Sequence, residues 1–150
     1  MGGPGDHTPP PGFEGRGGLK LLTTPPPAAG ADFSLEVPTG ARFQLVGGSA
    51  TLVTSSHVAN RQVYFTVKRE GTEVFRVPAA SLQAATLTYV YQLLPGVAPG
   101  TLIGTYPIVQ FPWYLALDER MRLTSVTTNI DTTDQWGPVY LLVEELGPTY

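Results

Sequence analysis

From Asp32 onward the apolar residues of this chain recur at every second position, and glycine or proline breaks the pattern at short intervals. Phe33, Leu35 and Val37 alternate with Ser34 and Glu36 before Pro38-Thr39-Gly40, and Val63, Phe65 and Val67 alternate with Tyr64, Thr66 and Lys68. Period two belongs to a strand with one face in a core and the other outside. No window of about ten residues carries the 3.6-residue period of a helix. The chain is therefore expected to be all-β: an antiparallel sandwich with strands set off by turns.

The turn chemistry sharpens this. Phe43 and Leu45 begin a run that Gly47-Gly48 interrupts before Ala50, Leu52 and Thr54 resume it, which reads as a bulge or bend. Ser55–Asn60 is expected as a loop. Glu70-Gly71 reads as a tight hairpin into Thr72–Val77, which Pro78 ends. Ala79–Ala85 is expected as a loop or one helical turn. Further strands are expected at Thr86–Leu93, Thr101–Tyr106, Trp113–Leu117, Met121–Ile130 and Val139–Glu145. Between Pro107 and Pro112, Ile108–Phe111 is confined to a short edge piece. Asp131–Gly137 is expected as the loop before the last strand. Long strands joined by unequal Gly/Pro loops favour the crossings of a jelly roll over a meander. At 150 residues one such domain accounts for the chain, spanning 32–150.

Residues 1–31 are a different material, since 15 of them are Gly or Pro. Such a composition buries too little apolar area to offset chain entropy, and is expected to form an extended, disordered arm. Pro9–Pro11 and Pro25–Pro27 favour polyproline II. Between them Leu19, Leu21 and Leu22 give the arm a grip for a groove or sheet edge of a neighbouring subunit.

Composition excludes several functions. Charged residues are 14% of the chain against about 25% in typical domains, so the surface is expected either to lie in part against something else or to be covered by Thr, Ser, Gln and backbone. The net charge is −3 and the nine basic residues are scattered, so free nucleic acid is not an expected ligand. With no cysteine there is neither a disulfide nor a thiolate site. Met1–Asp6 lacks the pattern of a signal peptide, and no apolar run reaches the ~20 residues of a membrane span. The expectation is a protein made in a cytoplasm, with no membrane partner.

No catalytic or cofactor-binding residue is expected. His7 lies in the arm and His57 in a polar loop, where Ser55 and Ser56 are neighbours in sequence without triad geometry. Glu144 and Glu145 fall on opposite faces of a strand, and Asp118-Glu119 reads as a turn, so neither pair suits a glycosidase. Asp131 and Asp134 are carboxylates in one loop, but their spacing matches no Ca²⁺ loop, and Asp is a favoured turn residue. No metal is expected there. Trp113, Tyr114 and Trp136 are candidates for an aromatic platform, for a partner side chain or a sugar, or else they plug the ends of a sandwich.

One resemblance emerges from Thr54-Ser55-Ser56-His57-Val58-Ala59-Asn60-Arg61, from Val63–Val67 and Gln83–Tyr89, and from Thr127–Asp131 with Asp134–Glu145. Over roughly residues 40–146 the chain resembles small structural proteins of the heads of tailed bacteriophages. The resemblance implies a jelly-roll-like capsid decoration (cement) protein, a homotrimer on the capsid surface that clamps the major capsid protein at local three-fold positions. It implies no catalytic residue and no cofactor. Leu19, Leu21, Leu22, Trp113, Tyr114 and Trp136 are then the expected partner-binding residues. The alternatives are a carbohydrate- or host-binding module of a head fibre or tail tip, and a head–tail joining protein.

Overall fold

The structure, a computed structural model, describes residues 16–97 and 104–146. The arm's first fifteen residues, with His7 and the first proline triplet, lie outside the described residues, as do Pro99-Gly100 and the start of the expected strand at Thr101.

Ten strands are present among the described residues: β1 (Arg16–Thr24), β2 (Ser34–Glu36), β3 (Arg42–Val53), β4 (Gln62–Arg69), β5 (Thr72–Pro78), β6 (Thr88–Pro95), β7 (Ile108–Phe111), β8 (Ala116–Asp118), β9 (Met121–Thr128) and β10 (Gln135–Leu146). They form two sheets. One runs β1-β10-β3-β6-β7, with β8 against the first residues of β3, and the other runs β2-β9-β4-β5.

The pairing has a simple rule. β4 pairs with β5, β3 with β6, β2 with β9 and β1 with β10, all antiparallel. Eight strands thus form one long folded ribbon, first with last and second with second-to-last. The ribbon then rolls so that β10 also meets β3 and β9 also meets β4. This is the jelly roll. β7 and β8 decorate the β6–β9 connection, and β7 adds a parallel pairing to β6.

Local chemistry explains the turns and kinks. Glu70 and Gly71 both take positive φ (51° and 82°), the geometry of the two-residue hairpin expected there. At Gly47-Gly48 the register slips: Leu142 faces Gly47 but Val143 faces Leu45, leaving Val46 as the extra residue of a bulge. A Cβ on Gly48 would meet Tyr140 O at 2.7 Å, so close approach of β10 demands glycine there.

The core fills the space between the sheets. Phe65 of β4 lies 5.7 Å from Tyr91 of β6, 6.1 Å from Trp136 of β10 and 6.3 Å from Phe111 of β7, centroid to centroid. Phe33 meets the Trp136 ring edge-on at 5.1 Å. Such edge-to-face pairs add to the apolar burial that each ring already contributes. Asp32 pins β2 to β9 by accepting hydrogen bonds from the hydroxyls of Ser125 (2.8 Å) and Thr127 (2.7 Å).

Four expectations change. The segment expected as an extended arm is, over Arg16–Thr24, an edge strand of this chain's own sheet, because β10 offers it a ladder from Leu146 to Val139. Leu22 is buried in the core and so is not free for a partner. The last strand begins at Gln135 rather than Val139, which carries Trp136 into the interior. The expected strand at Thr101–Tyr106 is, in its described part, a turn at Gly104-Thr105 with an isolated bridge at Tyr106, and Gly104 takes φ 62°.

The two phases of β1 should separate by mutation. Leu22→Ala is expected to cost about 2–3 kcal/mol in urea unfolding. Leu19→Ala should stay within about 0.5 kcal/mol, because that side chain stands outside.

Candidate interaction surface

The loops at one end of the sandwich converge on Arg61, a guanidinium with no exposure. Its Nε and Nη2 donate to the two carboxylate oxygens of Asp134 at 2.9 and 3.0 Å. Nη1 donates to the carbonyls of His57 (3.0 Å) and Ala59 (2.6 Å), and Nη2 also to Ser55 Oγ (3.3 Å). All five guanidinium N–H groups are therefore used. Asp134 accepts in addition from the backbone N–H of Ser55 and of Asp131, both at 2.8 Å. Burial opposes its charge, but these donors outweigh it and hold its carboxyl below the usual range.

Asp131 accepts from the hydroxyl (2.6 Å) and backbone N–H (3.1 Å) of Thr133 and from Ser55 Oγ (2.9 Å). Those bonds, the Thr133 hydroxyl first, lower its pKa from 3.8 to about 2. The loop carboxylates weighed as cation ligands thus serve protein donors. Ser55, weighed beside His57, is engaged by Asp131, by Arg61 and by the backbone N–H of His57. This cluster ties together the loops at 55–61 and 131–134. Nearby, Gln83 bridges Arg61 through the backbone, donates to Leu52 O (2.8 Å) and accepts from the Tyr91 hydroxyl (2.8 Å). Burial pushes the Tyr91 pKa up.

The expected partner-binding residues divide. Trp136 is fully buried among Phe33, Phe65 and Tyr91, so it cannot touch a partner. Its indole N–H has no hydrogen-bond acceptor among the described residues. Trp113 and Tyr114 are 68% and 78% exposed, side by side in the turn after β7, with ring centroids 6.3 Å apart. Tyr114 takes φ 58°, a conformation that costs a bulky residue strain and that accumulates at functional sites. Trp113 lies directly over Gly96, where an added Cβ would fall 2.0 Å from the indole. Leu19 and Leu21 are exposed on β1, at the opposite edge of the same sheet from β7.

Sequence reasoning missed the surface between those edges. The outward positions of the six-stranded sheet carry Leu21, Val46, Leu94, Tyr140 and Leu142 around a shallow recess of about 410 Å³ floored by Gly47 and Gly48. Among the described residues, β3 from Phe43 to Val53, β6, β7 and β10 from Gln135 to Val143 contain no Asp, Glu, Lys or Arg. The outer face of the other sheet is different. It carries the ion pairs Arg122–Glu36 and Arg76–Glu73, and Arg76 over the Tyr64 ring at 4.9 Å. A signal existed: Val139-Tyr140-Leu141-Leu142-Val143 is apolar in both phases, and a half-buried antiparallel strand alternates instead.

The strand order and the two unlike faces place the chain in one class, the eight-stranded jelly-roll sandwiches. No family model matches it, and a search of the curated proteins gave no match. Among solved structures, a chain of the T13 IBDV viral particle is similar at 15% identity and a TM-score of 0.38. That similarity covers 87% of this chain and 36% of the other, so this chain spans about a third of its length.

Two measurements check the polar cluster. Arg61→Met should cost about 3–5 kcal/mol by stranding the buried Asp134 carboxylate, and adding Asp134→Leu should restore only part of it, because the backbone N–H groups of Ser55 and Asp131 then lose their acceptor. For Asp131 the folded pKa lies below the unfolded one, so its stabilisation is complete above about pH 4 and fades as the pH falls toward 2. Tm should hold from pH 7 to 5 and then drop, less steeply in Asp131→Asn.

Proposed function

We propose that this chain is a non-enzymatic structural part of a virion, a decoration protein of a tailed bacteriophage that binds the major capsid protein on the outer shell as a homotrimer at local three-fold positions. The observation that carries this reading is the jelly-roll order of the eight ribbon strands, an architecture that recurs in viral capsid proteins. Three features support it. The Ser55/Arg61/Asp131/Asp134 cluster spends its polar groups on holding loops. The rigid sandwich presents a preformed surface, which lowers the entropy cost of docking. Trp113 and Tyr114 stand out from it as aromatic anchors of the kind that dominate contact energies. On a symmetric shell, weak contacts of this kind add through multivalency.

Mixing the purified protein with expanded, undecorated heads should give saturable, stoichiometric binding and raise the temperature at which the heads disrupt. Trp113→Ala and Tyr114→Ala should each weaken that binding about tenfold or more, while the fold, read by circular dichroism, stays intact. Protein that stays in solution at micromolar concentration contradicts the proposal.

The exposed aromatic pair also favours a second reading, a carbohydrate-binding module of a head fibre or tail tip, since sugars stack on such rings. A glycan array with and without Ca²⁺ separates the two: binding abolished by Trp113→Ala supports the module, and a blank array removes it.

A further inference from the structure

We infer that the outer face of the six-stranded sheet is the surface through which copies of this chain associate. The strand registers show why. Leu21 of β1 faces Leu142 of β10, and Leu142 faces Gly47 of β3. One line across the sheet therefore reads leucine, leucine, glycine, with Leu94 of β6 on the far side of the recess. A ridge of side chains stands beside a trough with no side chain on its floor. A two-fold-related copy of the same surface supplies both halves of the complement: the ridge of each copy enters the trough of the other, an isologous contact that joins copies in pairs and is separate from the three-fold contacts of the proposed trimer.

Charge and area point to the same occupant. The face has no charged side chain over Phe43–Val53 of β3, β6, β7 and Gln135–Val143 of β10, with Glu144 at its border, so a second copy meets no like-charge repulsion within it. A charged partner would lose solvation on this face and gain no counter-charge. Leu21, Val46, Tyr140 and Leu142 are 59%, 41%, 41% and 37% exposed, while of the large apolar side chains on the opposite sheet's strands only Val74 is as open, at 54%. The five strands lie about 4.8 Å apart and average about eight uncharged residues, each rising about 3.3 Å, which gives a footprint of roughly 600 Å² before side-chain relief. That is close to the ~800 Å² per partner of a standard stable interface. Two such faces would stack as sheets do within a sandwich, about 10 Å apart. The inference stands whether or not the assembly sits on a shell.

The test is the oligomeric state of the full chain by sedimentation equilibrium from 1 to 200 µM, with its Leu142→Lys, Leu21→Lys and Val74→Lys variants. The wild-type chain and Val74→Lys should associate alike. Leu142→Lys and Leu21→Lys should each raise the dissociation constant at least tenfold, with Tm within a few degrees of the wild type. Should a lysine unfold the domain, Leu142→Cys serves instead: in this cysteine-free chain its maleimide reaction should slow at least tenfold as the protein is concentrated. A monomer at 200 µM overturns the inference. So does an oligomer that the face variants leave intact, or a thiol whose reactivity ignores concentration.

Discussion

The structure depends on the pairing of β10 with two strands far from it in sequence. On one side it holds β3, and on the other it holds β1, which comes from the opposite end of the chain. Its inward residues Val139, Leu141 and Val143 are fully buried, and Trp136 at its start joins the aromatic core. Loop-closure entropy grows only slowly with chain length, so bringing the two ends together is tolerable once the intervening strands have paired. The kinetic consequence is larger, because almost every ladder in the sheets is non-local and such topologies fold slowly. Register has to be fixed along the way, since a slip of one residue would turn the inward set of β10 outward. The bulge at Val46 and the glycine that Tyr140 O forces at position 48 set that register against β3.

Arg61 and Asp134 do for the loops what β10 does for the sheets. A buried ion pair gains little net stability, because desolvation of both ions roughly cancels their attraction. Here the arginine is read to its last N–H by Asp134, Ser55 and two loop carbonyls, so one loop conformation satisfies the charge and alternatives leave it stranded. The pair makes the end of the sandwich specific more than it makes it stable. That is the physical reason carboxylates in an Asp-x-x-Asp loop that could suggest a cation site instead carry a structural arginine, contributed from 73 residues earlier in the chain.

Much of this was legible in the sequence, and the remainder has definite physical causes. Alternation located β2 and β4, and Glu70-Gly71 and Gly47-Gly48 marked the hairpin into β5 and a bulge that the structure contains. These are local features. β1 was not legible as part of the domain, because Gly and Pro around it lower its intrinsic order and its stabilisation comes from β10, more than a hundred residues away. Arg61 and Asp134 were opaque for the same reason: neither residue shows its partner locally. Trp136 was misplaced by the glycine and proline after it, which read as a loop but lie in the strand, where the register with β3 shifts between Trp136 and Val139.

The outward surface follows from the same strand that organises the inside. An antiparallel sheet exposed to water on one face ordinarily spends its outward phase on polar residues. β10 does so at Glu144, toward its end, and not at Tyr140 or Leu142. β1 covers the edge of β10 that would otherwise template aggregation, and it brings Lys20, an edge charge of the kind that discourages further pairing. The edge is thus guarded while the face is left apolar. A chain that guards this edge but keeps an uncharged face favours face-on contact, which as an isologous pairing closes on itself instead of propagating as a fibre. Because Val139, Leu141 and Val143 hold the core while Tyr140 and Leu142 form the face, that surface has its shape only when β10 is correctly registered, which couples association to complete folding.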